Sequence, residues 1–168
     1  MDSINLGTVQ VFFKEDNLAT KPQPAPMGAK HTSARKVTLK EAEEVSGWKL
    51  WKPSYLPFED MKLDTVYILG DEENTSSVAL KYKNNSQWMV IKQQSIHSSK
   101  VPITFPLRSN SINDKPAAVF NHSVIATSQP SGKLDILNCL WEQDGFLMEL
   151  EVPFVSEQDI KQIAESLQ

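Results

Sequence analysis

Apolar and polar residues alternate most cleanly near the C-terminal end of the chain. Residues 134–143 and 146–152 predict two strands joined at Asp144-Gly145, a dipeptide that suits a two-residue hairpin turn. That turn sets Trp141 opposite Met148, Cys139 opposite Leu150 and Leu137 opposite Val152, so six apolar side chains share one face. Leu147, Glu149 and Glu151 fall on the other, mostly polar face. A slip of one residue would destroy the match, so turn and alternation support one register. Further strands are predicted over 65–69, 78–83 and 88–94, with turns at 71–77 and 84–87, and shorter ones over 117–120 and 124–127.

Two segments carry the helical period instead. Thr38-Leu-Lys-Glu41 is a capping box that opens a short helix with Leu39, Ala42 and Val45 on one side, and Gly47 stops it. Ser156-Glu-Gln-Asp159 is a second box, and Ile160, Ile163, Ala164 and Leu167 form one apolar stripe behind it. The pattern therefore predicts an α+β fold: an antiparallel sheet with an N-terminal and a C-terminal helix packed on one face. Residues 8–13 allow one short strand. Alternating prolines at 22, 24 and 26 predict an extended proline-rich arm over residues 1–36, with the folded domain at 37–168.

Composition narrows the functions. The chain has 168 residues, enough for one ordinary core. Its net charge of −4 argues against a nucleic-acid surface and against simple adhesion to anionic lipid. No apolar run approaches the ~20 residues that span a bilayer. The first fourteen residues lack the basic start and apolar centre of a signal peptide. A single cysteine, Cys139, allows no internal disulfide, and the hairpin register places it in the core rather than at a reactive site.

Candidate chemistry is sparse. His31, His97 and His122 are far apart and lack metal-ligand spacing. Asp71-Glu72-Glu73 lacks the alternating ligands of a calcium loop, and Asp144 belongs to a turn. Glu149 and Glu151 look like a solvated strand face. No phosphate-binding glycine loop or nucleophile elbow occurs. We therefore expect no enzymatic activity, no cofactor and no metal. The suggestive cluster is the proline-braced segment 48–58, with Trp48, Trp51, Tyr55 and Phe58 interleaved with Lys49 and Lys52. Aromatics on an irregular segment offer rigid apolar area for a partner. At least one of Trp51, Tyr55 and Phe58 should stand exposed there.

Residues 37–168 resemble the bacterial family of unknown function DUF4367. The likeness lies in Thr38 to Ala42, Gly47, Pro53-Ser-Tyr-Leu-Pro57, Leu80 to Tyr82, Leu140-Trp141 and the closing Ala164 to Leu167. Such domains often form the extracytoplasmic end of membrane-anchored proteins. The resemblance implies no catalytic residues. It implies a non-catalytic binding or interaction module, extracytoplasmic or tethered, that contacts a protein partner or an envelope component. The chain's own residues show no signal or anchor and leave the cytosol open. A second reading is a carrier of a small apolar ligand or lipid, which needs an enclosed apolar cavity of at least ~300 Å³ between sheet and helices.

Overall fold

A computed structural model describes residues 2–15, 33–70, 75–96 and 99–168. The chain order is β1 (Ser3–Asn5), β2 (Gln10–Phe13), β3 (Ser33–Val37), α1 (Leu39–Ser46), β4 (Lys62–Gly70), β5 (Thr75–Lys83), β6 (Trp88–Ser95), β7 (Lys100–Ile103), β8 (Arg108–Ile112), β9 (Lys115–Ile125), β10 (Lys133–Gln143), β11 (Phe146–Pro153) and α2 (Glu157–Glu165). Eight strands form one antiparallel sheet in the order β3-β4-β5-β6-β11-β10-β9-β8, and β1-β2-β7 form a second, small sheet.

The late hairpin adopts the register that turn and alternation dictate. Leu137 opposes Val152, Cys139 opposes Leu150 and Trp141 opposes Met148, and all six are buried. Asp144 and Gly145 both take positive φ, as a type I′ turn requires. Both capping boxes form, and Gly47 ends α1 in the left-handed region with its N–H on the Glu43 carbonyl.

The α+β expectation is overturned. Strands take 54% and helices 12% of the structure, which makes the fold mostly β. The helices supply only Ala42, Ile160, Ile163 and Ala164 as fully buried residues, and three strands precede the first helix. The expectation failed because four strands carry too little alternation to be seen. β3 and β8 are polar because each is an edge of the large sheet. β7 holds Pro102, which an edge strand tolerates because it need not donate to a ladder there. β1 has three residues. Asn113 and Asp114 also form a two-residue hairpin turn with positive φ, joining β8 to β9.

The expected arm over 1–36 is corrected at both ends. β2 pairs with β1 and runs parallel to β7, and β3 pairs with β4. The proline-rich stretch between them lies outside the described residues. Ile4, Leu6 and Val11 pack with Ala118, Phe120, Leu140 and Leu147 of the large sheet as a second core. The main core lies on the opposite face and contains the helix residues, with Trp51, Tyr82, Met89, Trp141 and Met148.

Two outcomes follow from this packing. Deleting residues 1–15 uncovers the second core. At roughly 25 cal/mol per Å² of apolar area, the loss should reach several kcal/mol, read as a thermal midpoint lowered by many degrees. An unchanged midpoint would show that the small sheet does not hold the large one. Cys139 is fully buried, and burial pushes its thiol up to about 12. Native protein at neutral pH should therefore resist a thiol reagent until unfolded, and Cys139→Ala should cost about 1–2 kcal/mol in denaturant titration.

Candidate functional site

Segment 48–58 leaves α1 at Gly47 and crosses the helix-side face of the sheet. Pro53 and Pro57 keep it irregular. Its backbone is held from two sides. Gln93 of β6, itself buried, donates from Nε2 to the Lys49 carbonyl at 2.8 Å and accepts from the Trp51 N–H at 3.3 Å. The C-terminal residues hold the rest. Lys52 and Gln168 exchange backbone hydrogen bonds at 3.0 and 2.9 Å, and Pro53 bridges Leu167. Ser54 donates to the Ser166 carbonyl, and the Tyr55 N–H donates to Ser166 Oγ at 3.1 Å. Gln93 went unnoticed in the sequence because a glutamine on a strand reads as an outward polar residue. Its position opposite Val78 and Met148 is what turns it inward.

The six candidate residues lie along this one irregular segment, and its rings are less open than expected. Trp51 is buried, at 9% exposure. Trp48, Tyr55 and Phe58 are half-buried against the main core, and Trp48 meets Phe146 edge-on with centroids 5.2 Å apart. None of Trp51, Tyr55 and Phe58 stands free, because each ring belongs to or packs against the main core. Lys49 and Lys52 are exposed. The Lys49 ammonium lies 4.3 Å from the Trp51 ring centroid, a cation–π contact. Beneath it, the Trp51 Nε1–H is fully buried and has no acceptor. A buried donor left unpaired costs about 1–3 kcal/mol.

The remaining candidates separate. His31, His97 and Asp71-Glu72-Glu73 lie outside the described residues. His122 Nδ1 sits 3.2 Å from the Asn138 amide, and its ring lies against Phe105. Asp144 is an exposed turn residue. Among the described residues, no group of three or more His, Cys, Asp and Glu could hold a metal ion. Glu149 is not the solvated residue its strand face suggested. The small sheet lies over the neighbouring Leu140 and Leu147, and burial pushes the Glu149 carboxyl up to about 7. Lys92, directly across on β6, pulls it back down, while Glu151 reinforces the rise by charge and hydrogen bond, and His122 lowers it slightly.

Surface clefts lie at two of the turns. One, of about 390 Å³, lies between Gly7, Lys115 and Glu142, and the other, of about 440 Å³, between Asp60, Asp64 and Lys83. Both sit at turns, and neither lies between sheet and helices. No described helix is long and apolar enough to cross a membrane.

No protein-family model, curated protein or solved structure matches the chain.

The Glu149 carboxyl sets a pH dependence. Its folded value, about 7, is above its ordinary 4.5, so folding favours the protonated form. That contribution is full below about pH 4.5 and is lost as pH rises through about 7. Glu149→Gln keeps an uncharged group and should flatten the fall. Thermal unfolding of both proteins from about pH 5 to about pH 8 checks this. Parallel curves would show that Glu149 ionises freely in the fold.

Proposed function

We propose that the chain is a non-catalytic interaction module that seats an acidic, partly apolar segment of a protein partner against residues 48–58. The observation that carries the reading is the Trp51 indole, whose buried Nε1–H has no acceptor and whose ring face carries the Lys49 ammonium. A carboxylate entering there meets the ammonium over the ring face, and a turn of the indole brings the in-plane Nε1–H to it. Its arrival removes the cost of a buried unpaired group rather than adding one. The half-buried rings of Trp48, Tyr55 and Phe58 supply apolar contact beside the charge at little entropic cost. Lys52 supplies a second exposed cation.

The non-catalytic reading draws on the same geometry. The Cys139 thiol is sealed in the core, and Glu149 faces Lys92 across a strand pair instead of opening on a cleft. Tethering outside the membrane draws on the family resemblance alone. The carrier reading is not adopted, because Trp51, Trp141, Met148, Ile160 and Ile163 fill the space between helices and sheet.

Selection from a random displayed-peptide library tests the proposal. The native chain should enrich peptides with a carboxylate beside aromatic or aliphatic residues. Lys49→Glu with Lys52→Glu should lose that enrichment while its thermal midpoint stays near that of the native chain, since both lysines are exposed. Enrichment without an acidic signature, or an acidic signature that survives the double charge reversal, contradicts the proposal.

A further inference from the structure

The two edges of the large sheet are treated differently. At one edge, β8 is stitched to α2. Arg108 donates to Glu157, Asn110 donates to the same carboxylate at 3.4 Å, Lys161 donates to Ser111 at 3.0 Å, and the Asn113 backbone N–H donates to Glu165 at 3.1 Å. At the other edge, β3 pairs with β4 on one side and with nothing on the other among the described residues. Ala34, Arg35 and Lys36 are all exposed. α1 follows β3 directly, yet it packs over β4 and β5, and no described strand lies on the outer side of β3.

An edge strand of this kind presents unpaired N–H and C=O groups, and a second strand can complete them. Its charge decides which strand. The chain as a whole carries −4, whereas β3 carries two adjacent cations and no acid. Neither Arg35 nor Lys36 lies in an ion pair with any described carboxylate. Side chains alternate along a strand, so Arg35 projects on the face of its partner Ile68 and Lys36 on the face of Tyr67. An added strand is matched when two consecutive acidic residues lie opposite, one carboxylate on each face. A second copy of this chain is a poor occupant. Antiparallel self-pairing about β3 sets Arg35 and Lys36 against each other, and directly opposed like charges destabilise a strand pair.

We propose that β3 is a strand-addition site for an extended partner segment bearing two consecutive acidic residues. The inference does not rest on segment 48–58. The site uses backbone hydrogen bonds for affinity and the Arg35–Lys36 pair for choice of partner and alignment. It is a different surface from the one formed by Trp51 and Lys49, so either can fail alone.

The full chain, isotopically labelled, is titrated with the peptide Thr-Val-Glu-Glu-Val-Thr while its backbone amide resonances are followed. The largest shifts should fall within residues 33–37. The lysine analogue Thr-Val-Lys-Lys-Val-Thr, and the acidic peptide N-methylated on alternate amides, should each bind at least about tenfold more weakly, the first by charge and the second by loss of the ladder. Arg35→Glu with Lys36→Glu should invert the preference between the acidic and basic peptides, with the thermal midpoint showing that the variant is folded. Four results would overturn the proposal. They are no binding at millimolar peptide, equal binding of the N-methylated peptide, shifts centred away from β3, or sedimentation showing that β3 is occupied by a second copy of the chain.

Discussion

Six consecutive residues of β10, Ile136 to Trp141, are buried. A strand buried without interruption has apolar or satisfied side chains on both faces, and both faces must then be covered. Leu137, Cys139 and Trp141 face the helix side, where Ile160, Ile163 and Ala164 of α2 complete the core. Leu140 faces the opposite way and is closed by Ile4, Leu6 and Val11 from the start of the chain. The one polar member, Asn138, fits because its amide donates to the Ile136 carbonyl at 3.1 Å and meets His122. The rest of the architecture follows from this demand for two covers. A single layer of two short helices leaves half of the centre wet, and the small sheet supplies the missing cover.

This demand also decides what could be read from the sequence. Where burial is one-sided or a turn has strong chemistry, the pattern was visible: the Asp144-Gly145 hairpin, its register and both capping boxes are local signals. The second cover was not visible, because β1, β2 and β7 are short and β7 joins β2 across about ninety positions of sequence. Glu149 illustrates the consequence. Alternation alone makes it a surface residue, yet it is half-buried on the face that the small sheet covers, and that desolvation raises its carboxyl. Strand β9 shows the same limit from the other side. Asn121, His122 and Ser123 interrupt its apolar run and suggest two strands, yet β10 pairs with it continuously from Ala117 to Ile125.

The candidate site was half legible. Its residue types and the bracing prolines could be found in the sequence, and the structure sets Lys49 over the Trp51 ring. Their exposure could not be found, because it depends on Gln93 beneath and on the C-terminal residues alongside. Both are distant in sequence, and both pull segment 48–58 down onto the core. The result differs from a projecting aromatic patch. Trp48, Tyr55 and Phe58 serve the core with one side and face outward with the other.

Trp51 differs from these more open rings in being buried. A ring placed only for packing is served as well by phenylalanine, which brings no donor into a dry site. Tryptophan at this position adds an N–H that the fold leaves unmatched, and the fold meanwhile spends the two polar groups of Gln93 on backbone atoms only a residue or two away. Local hydrogen-bonding capacity is therefore present and directed elsewhere. Lys49 over the ring face adds a positive charge beside that unmatched donor, and the cost of the unpaired group is offset by the large core that β10 and its two covers build.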